Sequence, residues 1–410
     1  MFLSQRKTAF LADQMGLGKS AQAIEAANLV GAKTVVVICP AIARVNWRRE
    51  FEMWGRGERE LIVESFDKIA TRPDLRKQLA AMAPDVLIVD EAHYLKTRTA
   101  KRTKALYGLG CKNTGLAATA KYVWLLTGTP CPNDAGELWP HLRALWPRLI
   151  AEKNYIEFIE RYCVTQKGLY GLKILGNKNA PELRAILGKI MLRRKADEVL
   201  KELPPISWHV VPVEPDHVLK DLLKFEQTEE VIALRQSLED GFIPTDTIAM
   251  ATLRRLTGES KARIAASMIR DELEAGAYGK IVVFVQHIDL GKTLTELLSD
   301  LGTIFLNGST TTTMRQRYID EFQQDAAKRV FIGQLQACST AITLHAASQV
   351  LFVEQSWVPA DNAQAAKRCH RIGQTLPVFV RTLALSKSID EAVARVLARK
   401  SQAISELLEN

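Results

Sequence analysis

Short apolar runs recur along two separate stretches of the sequence, and amphipathic or alanine-rich segments such as Ser20 to Val30 separate them. The first series is Ala9 to Ala12, Thr34 to Cys39, Leu61 to Val63, Val86 to Val89 and Val123 to Thr127. The second is Ile281 to Val285, Thr303 to Leu306, Arg329 to Ile332, Val350 to Val353 and Val378 to Leu383. Runs of this length and spacing are typical of buried parallel strands joined by crossover helices. We therefore predict an α/β protein with two tandem lobes, each built on a parallel sheet.

The stretch between the two series has a mostly helical pattern, and Leu203-Pro204-Pro205 interrupts it as a candidate hinge. We predict an N-terminal lobe over residues 1–195, with a helical protrusion from about residue 135. A linker and helical insertion follow over residues 196–275. The C-terminal lobe covers residues 276–410 and closes with an amphipathic helix over Ile389 to Leu408.

The composition excludes several classes of protein. Of the 410 residues, 47% are hydrophobic and 25% are charged, as in ordinary soluble proteins and unlike disordered or collagenous chains. The apolar runs are far shorter than the roughly 20 residues of a membrane-spanning helix, and the N-terminal segment lacks a signal-peptide layout. We expect a soluble, intracellular protein without membrane association. The net charge of +9 permits a polyanionic partner.

The six cysteines are scattered and never form a CxxC pair. In a chain of this length, such spacing argues against a disulfide framework and against a zinc site. We expect small buried thiols.

The segment Asp13-Gln14-Met15-Gly16-Leu17-Gly18-Lys19-Ser20 follows the first predicted strand and opens a predicted helix. It matches the second half of the phosphate-loop pattern GxxxxGK[ST], with aspartate in place of the first glycine. The glycines let backbone N–H groups surround phosphate oxygens, Lys19 offers a charge to the β and γ phosphates, and Ser20 offers a hydroxyl to Mg²⁺. A simple glycine turn with an exposed lysine is the alternative.

Asp90-Glu91-Ala92-His93 comes directly after the apolar run Val86 to Val89. Ligands of open α/β sheets bind at the carboxyl ends of strands, so this strand can bring Asp90 beside the phosphate loop. Asp90 would then hold the metal, and Glu91 would orient or deprotonate the attacking water. An acidic helix start exposed to solvent is the alternative.

Arg368 and Arg371 lie three residues apart in the segment from Gln364 to Gln374, near the end of the second series. We predict that they share one helical face. Arginines supplied by another domain can neutralise charge on a transferred phosphate, which makes hydrolysis depend on domain closure. A solvated basic helix is the alternative.

These motifs, in this order, resemble those of the superfamily 2 helicase-like ATPases, and in detail those of the SWI/SNF-type branch. The family's phosphate loop reads DEMGLGKT, close to residues 13–20, and its last motif reads QAxxRxHRIGQ, close to residues 364–374. Further matches are Cys39-Pro40 with Asn46-Trp47, the segment Leu125 to Pro130, and Leu192-Arg193-Arg194-Lys195. The short insertions are most similar to those of the fork-remodelling, strand-annealing subgroup and its compact prokaryotic or viral relatives.

The resemblance implies two RecA-like lobes that use ATP and Mg²⁺. Gly16, Leu17, Gly18, Lys19 and Ser20 would bind nucleotide, with Ser20 and Asp90 on the metal. Glu91 would act on the water, and Arg368, Arg371 and Gln364 would reach the nucleotide from the second lobe. A third group would couple the state of the nucleotide to the grip on DNA, namely His93, Thr127, Gly128 and Thr129.

The resemblance also implies a track for double-stranded or forked DNA. Its predicted contacts are Asn46, Trp47 and Ser65 in the first lobe, and Gln286, Gly308 and Ser309 in the second. Lys96 is a further predicted contact, which rests on the basic stretch described below and not on the resemblance. Targeting would come from the motor itself or from an unidentified protein partner, and we expect a monomer. The prokaryotic and viral relatives imply the cytoplasm or nucleoid of a prokaryotic or virus-infected cell rather than a nucleus.

Three features depart from the family pattern. The family's adenine-recognition glutamine lies some way upstream of the phosphate loop, and Gln5 is too close to that loop to serve. The fifth motif usually contains glycines, whereas Ala337 to Thr343 has none, which restricts the backbone of the loop that couples DNA to ATP. The family's WNP is Trp357-Val358-Pro359 here.

A stretch without acidic residues runs from Ala92 to Asn133, and it contains Lys96, Arg98, Lys101, Arg102, Lys104, Lys112 and Lys121. Such a stretch either forms a solvated face or contacts DNA phosphates. Phosphate contacts would give an affinity for DNA that falls with salt concentration and does not depend on the bases.

The main functional hypothesis is a DNA-stimulated ATPase that translocates along double-stranded DNA, as in remodelling or fork-annealing enzymes. A strand-separating helicase on DNA or RNA is one alternative, suggested by the Asp-Glu-Ala-His spelling. An ATP-gated DNA-binding module with impaired turnover is another, suggested by the altered fifth motif.

Overall fold

The computed structural model describes residues 1–168, 171–214, 220–239, 248–338, 342–386 and 388–408. The chain divides into two compact units, Met1–Lys201 with Ala403–Asn410, and Glu202–Gln402. Each unit is built on its own sheet.

The sheet of the first lobe has six strands, all parallel among the described residues, in the order β3-β2-β4-β5-β1-β8. The strands are β1 Thr8–Leu11, β2 Thr34–Cys39, β3 Glu60–Ser65, β4 Val86–Asp90, β5 Tyr122–Leu126 and β8 Met191–Leu192. The β-branched run of β2 is almost fully buried, as expected for a sheet with helices on both faces. The five strands predicted for the first series are confirmed, and β8 is an addition.

The helices of this lobe are α1 Lys19–Leu29, α2 Arg44–Trp54, α3 Phe66–Thr71, α4 Pro73–Ala81, α5 Lys101–Tyr107, α6 Trp139–Leu145, α7 Tyr155–Tyr162, α8 Ala180–Leu187 and α9 Ala196–Val199. Short 3₁₀ turns cover Ala41–Ala43, Ala92–Leu95, Leu109–Cys111, Leu116–Thr119 and Ala135–Leu138. The predicted protrusion is only partly helical, because β6 Cys163–Gly168 and β7 Gly171–Asn177 form an antiparallel hairpin within it.

The sheet of the second lobe also has six strands, again all parallel among the described residues, in the order β11-β12-β10-β13-β14-β9. They are β9 Ile206–Val213, β10 Ile281–Val285, β11 Ile304–Leu306, β12 Val330–Gln334, β13 Gln349–Phe352 and β14 Val378–Leu385. The helices are α10 Lys220–Glu226, α11 Glu229–Glu239, α12 Ile248–Glu274, α13 Ile288–Leu297, α14 Thr312–Gln324, α15 Leu335–Cys338, α16 Pro359–Ala366 and α17 Ile389–Leu408, with a 3₁₀ turn at Ser299–Leu301.

The boundary between the lobes differs from the predicted one. The second unit begins at Glu202, so residues 202–275 belong to it rather than to a separate linker. The physical reason is that β9 pairs along its whole length with β14, which makes it part of the second sheet. The α12 helix packs its apolar side into the same core as β10. The prediction of a second lobe starting at residue 276 was therefore wrong.

All six cysteines are buried and free, as expected. Among the described helices, none combines the length and the apolar character that a membrane crossing requires.

Candidate active site

The phosphate-loop segment connects β1 to α1 at the carboxyl end of the first sheet. Gly16 and Gly18 have φ values of +92° and +67°, in the left-handed region that side chains rarely adopt. Gly18 is the N-cap of α1, and Lys19 and Ser20 form its first turn. The backbone therefore turns so that the N-terminus of α1, with its unpaired N–H groups, is available to an anion.

Asp13 replaces the first glycine of the loop pattern, and it has a structural function that the sequence did not indicate. Its carboxylate is fully buried. It accepts hydrogen bonds from Nε of Arg194 at 3.1 and 3.2 Å, from the backbone N of Arg194 at 3.0 Å, and from Nε2 of Gln22 at 3.0 Å. Nη2 of Arg194 completes the ion pair. The base of the loop is thus fixed both to α1 and to the segment after β8.

Lys19 folds back over the loop. Its Nζ donates to the carbonyl oxygens of Asp13 at 2.8 Å and Gln14 at 3.3 Å. Burial lowers the pKa of the Lys19 ammonium, while the nearby Glu91, Asp90 and Asp13 carboxylates act in the opposite direction. The cation thus lies within reach of both the phosphate loop and the acidic strand end.

Asp90 is the last residue of β4, which is separated from β1 by β5 alone. Its Oδ1 accepts from the backbone N of Glu91 at 3.0 Å, and its Oδ2 accepts from Nε1 of Trp47 at 2.8 Å. Burial, followed by the charge of Glu91, raises the pKa of Asp90 to about 6, and the Trp47 hydrogen bond opposes that rise. Each carboxylate oxygen can still accept a further bond.

Trp47 was predicted to contact DNA, and the structure corrects this. Only 1% of its surface is exposed, because the indole packs among apolar residues that include Phe51. Its N–H is directed at Asp90. The sequence motif places Asn46 and Trp47 side by side, but it does not indicate which of the two side chains points into the core. Trp47 thus holds the Asp90 carboxylate in place.

Glu91 lies beside the predicted coupling residues. Its backbone is in the left-handed region at φ +51°, an uncommon conformation for a residue with a side chain, and such strain concentrates at functional sites. Glu91 Oε2 lies 3.2 Å from Nδ1 of His93 and 3.4 Å from Oγ1 of Thr127. The His93 nitrogen and the Thr127 hydroxyl are 2.9 Å apart. One contiguous hydrogen-bonded group therefore joins the strand ends of β4 and β5.

Gly128 and Thr129 extend this group. The backbone N of Thr129 donates to the Thr127 hydroxyl at 3.1 Å. Nη1 of Arg193 donates to the carbonyl oxygens of Gly128 at 3.2 Å and Ala12 at 3.1 Å, so that it ties the coupling segment to the phosphate loop. Arg193 and Arg194 were noted in the sequence only as a family match, and the structure assigns a bracing function to each.

In the second lobe, Gln364 is buried in α16, but the two arginines lie beyond the end of that helix at Ala366. The prediction that they share one helical face was wrong. The chain leaves the helix in turns that Gln374 stabilises, because its Nε2 donates to the carbonyl oxygens of His345, Ala347 and Cys369. These turns still keep the two arginines within one short segment.

Arg371 contacts the far end of the fifth motif. Its Nη1 donates to the carbonyl oxygen of Ile342 and to Oγ1 of Thr343, at 3.0 Å each. Residues 339–341 of this motif lie outside the described residues, whereas Ala337 and Cys338 end α15. A predicted nucleotide contact and the predicted coupling loop are therefore directly connected.

The remaining predicted DNA contacts in the first lobe differ in exposure. Asn46 is exposed on α2. Ser65 is buried, and its hydroxyl accepts from the backbone N of Lys68 as the N-cap of α3, so its predicted contact with DNA is corrected to a capping function. Lys96 pairs with Glu137 at 2.8 Å, just beyond the acid-free stretch.

In the second lobe, Gly308 and Ser309 are exposed and Gln286 is half-buried. Gln286 directly follows β10, and Gly308 and Ser309 lie two and three residues beyond the end of β11, at the carboxyl end of the sheet.

Comparisons with known proteins cover both lobes. The family model described as SNF2-related domain matches residues 55–257, and the helicase conserved C-terminal domain matches residues 264–373. The DNA annealing helicase and endonuclease ZRANB3 of Mus musculus is 30% identical over 96% of this chain and 38% of its own length. The SWI/SNF-related matrix-associated actin-dependent regulator of chromatin subfamily A-like protein 1 of Drosophila melanogaster is 28% identical over 99% of this chain and 54% of its own.

A solved structure, the SWI2/SNF2 ATPase core of Sulfolobus solfataricus in complex with dsDNA, is 23% identical in sequence and has a TM-score of 0.41. The match covers 96% of the present chain and 87% of the Sulfolobus chain. The present chain thus spans about two fifths of the mouse relative and about half of the fly relative.

Proposed function

We propose that this chain, which belongs to the SWI/SNF-type helicase-like ATPases of helicase superfamily 2, hydrolyses ATP when it binds DNA and translocates along double-stranded DNA. The observation that carries the proposal is the hydrogen-bonded group of Glu91, His93 and Thr127 beside a loop with phosphate-binding geometry. This arrangement supports the proposal because it would offer the first lobe both a binding place for phosphates and a carboxylate for the attacking water.

The N-terminus of α1 and Lys19 would hold the β and γ phosphates. Phosphate oxygens offer the Lys19 ammonium stronger acceptors than the two loop carbonyls that it now contacts. The carboxylate of Asp13 would keep the loop in this shape, because it is held by α1 and Arg194 independently of any ligand.

Mg²⁺ fits the residues that are present. The Ser20 hydroxyl and the Asp90 carboxylate are hard oxygen donors, the kind that this cation prefers, and both oxygens of Asp90 retain acceptor capacity. When bound, the cation would neutralise charge on the phosphate oxygens. Trp47 would keep Asp90 oriented for this purpose.

Glu91 would orient the attacking water and accept its proton. Its link to His93 and Thr127 would make the carboxylate position sensitive to movement of the segment after β5. Arg368 and Arg371 would stabilise the charge of the transition state once the lobes close. Because Arg371 now bonds to residues 342 and 343, its transfer to a phosphate would release the end of the fifth motif.

We further propose that the preferred DNA is duplex or forked and that the activity is remodelling or annealing in type. Support comes from two relatives that align with nearly the whole chain, one of them described as a DNA annealing helicase. The two arginines of the second lobe and the exposed strand-end residues Gly308 and Ser309 are consistent with a motor of two lobes.

Steady-state ATP hydrolysis with and without duplex DNA tests the proposal. We expect DNA to raise the rate of the natural chain, and Lys19→Ala to abolish hydrolysis because the phosphates lose their cation. Lys33→Ala, an exposed lysine in the same lobe, is the matched control and should retain the stimulation. An unstimulated natural chain, or an active Lys19→Ala variant, would contradict the proposal.

The two alternatives give other outcomes. Robust separation of tailed duplexes would favour a strand-separating helicase. Tight binding of ATP and DNA without phosphate release would favour an ATP-gated binding module, for which the glycine-free fifth motif is the supporting feature.

A further inference from the structure

The carboxyl ends of four neighbouring strands in the second lobe, β11, β12, β10 and β13, are joined by two polar side chains that no motif accounts for. The first is Gln334, the last residue of β12. Its Oε1 accepts from the backbone N of Gly308 at 3.0 Å, and its Nε2 donates to the carbonyl oxygen of Gln286 at 3.2 Å. One amide thus connects the loops that follow β11 and β10.

The second side chain is Glu354, two residues beyond β13, with 3% of its surface exposed. Its Oε2 accepts from the backbone N of Gln286 at 2.8 Å and of His287 at 2.9 Å, and its Oε1 lies 2.6 Å from Nδ1 of His287. The α12 helix closes over it, since a Cβ on Gly258 would lie 2.5 Å from Oε1. A buried carboxylate with three partners is well satisfied and rigid.

The sheet itself does not require these bonds. The pairing of β10 with β12 ends at Val285 and Gln334, and the pairing of β10 with β13 ends at Phe284 and Phe352. The backbone groups that the network binds, those of Gln286, His287 and Gly308, lie beyond the last pairs. The network uses both backbone groups of Gln286, so the position from which that side chain projects is fixed from two sides.

We propose that Gln334 and Glu354 are positioning residues for DNA, which hold Gln286 and the Gly308-Ser309 loop in one fixed arrangement. The inference rests on the proposed function, because it assumes that these loops contact the DNA backbone. Gln334 directly precedes α15, whose last two residues, Ala337 and Cys338, begin the fifth motif.

The two hydrogen bonds of Gln334 make a sharp test available. Gln334→Met removes both bonds and keeps the length of the side chain. Gln334→Glu keeps the acceptor for Gly308 but turns a carboxylate oxygen toward the carbonyl of Gln286, which is repulsive. A network that positions DNA loops therefore predicts that glutamate is the worse substitute, whereas a role in packing alone predicts that glutamate, closest in shape, is the milder one.

The measurements are the dissociation constant of a fluorescein-labelled duplex, by anisotropy, and the duplex concentration that gives half-maximal ATP hydrolysis. We expect both constants to rise about fivefold to tenfold in Gln334→Met and further in Gln334→Glu, while the rate at saturating DNA changes much less. Glu354→Gln tests the other side of Gln286 and should weaken DNA binding in the same way. Gln324→Met, an exposed residue at the end of α14, is the control and should change neither constant.

Unchanged duplex affinity in Gln334→Met, or glutamate milder than methionine, would overturn the inference. A natural chain that binds duplex DNA without stimulation of hydrolysis would instead contradict the proposed function, and the binding constants would still decide the inference. If the natural chain bound no duplex, both would fail. Thermal melting identifies a variant that does not fold, and the remaining variant then decides.

Discussion

The two lobes share a six-stranded parallel sheet but differ in what holds the ends of their strands. In the first lobe, buried or half-buried carboxylates bond to side chains. Asp13 forms an ion pair with Arg194, and Asp90 accepts a hydrogen bond from the indole N–H of Trp47. In the second lobe, Gln334, Glu354 and Gln374 bond mainly to backbone groups. At the predicted sites, the same scaffold therefore presents charge in the first lobe and fixes loop geometry in the second. Away from them, an ion pair of the buried Lys261 with Asp390 also holds the end of β14.

This difference matches the division of work that we propose. Phosphate transfer requires charged groups whose positions are set before the substrate arrives. Binding along the DNA backbone requires loops whose backbone and small polar side chains keep their positions relative to the phosphates. Substitutions at the phosphate site of the first lobe should therefore change rates, and substitutions in the network of Gln334 and Glu354 in the second lobe should change affinity for DNA.

The largest effect is expected from Glu91→Gln. Loss of the base should lower the maximal rate of ATP hydrolysis by about a hundredfold or more, while affinity for ATP and for duplex DNA stays close to that of the natural chain. Single-turnover hydrolysis and nucleotide-binding measurements check this. Glu58→Gln, an exposed glutamate of the same lobe, is the control. Loss of DNA affinity with an unchanged rate would break the proposed division between the lobes.

A smaller effect is expected from Trp47→Phe. The substitution keeps an aromatic ring in the core but removes the N–H that Asp90 accepts. We expect a rate reduced by about tenfold and a higher Mg²⁺ concentration for half-maximal activity, because the metal carboxylate loses its orientation. Duplex affinity at saturating nucleotide should not change. If the variant bound DNA more weakly and required the same Mg²⁺ concentration, the result would indicate that Trp47 contacts DNA, as the sequence predicted.

Arg194→Met tests the buried ion pair through stability. It leaves the Asp13 carboxylate buried without its charged partner, and we expect unfolding of the first lobe to become easier by about 2 kcal/mol. Urea titration followed by tryptophan fluorescence measures this. Arg49→Met, an exposed arginine on α2, should lie within the error of the natural chain. Equal stability of the two variants would show that Asp13 does not depend on Arg194.

The smallest effect concerns pH. The pKa of Asp90 is raised to about 6 in the folded protein, above its unfolded value of about 3.9, so the folded state binds the proton more tightly. Stability from this group is present at low pH and is lost as pH rises through about 6. The melting temperature of Asp90→Asn minus that of the natural chain, both measured without nucleotide or metal, should therefore be a few degrees larger at pH 7.5 than at pH 5. If the difference in melting temperature between the two proteins did not change with pH, the raised pKa of Asp90 would be contradicted.

The sequence predicted much of the fold because apolar runs of four to six residues have few other interpretations. It did not predict β8, a two-residue strand that exists only through its pairing with β1. It also missed β9, because the preceding prolines suggested a hinge and because only the last residue of this strand is buried. Such elements are decided by tertiary neighbours rather than by local pattern.

The same limit applies to the site. The phosphate loop, Asp90 and Glu91 could be predicted from strand ends that meet at one edge of the sheet, whereas His93 and Thr127 were implied only by the family resemblance. The direction of a side chain does not follow from spacing, so Trp47 and Ser65 were placed on the wrong surface. Asp13 was noted only as part of the phosphate-loop segment, and Gln334 was not noted at all. Their functions arise from partners that are distant in sequence, at positions 194 and 308.

The most direct test of the central claim is the activation of ATP hydrolysis compared across single-stranded, duplex and forked DNA of equal length. A motor that tracks along duplex DNA predicts strong activation by duplex and forked DNA and little by single strands. Equal activation by all three, or activation by single strands alone, would contradict it.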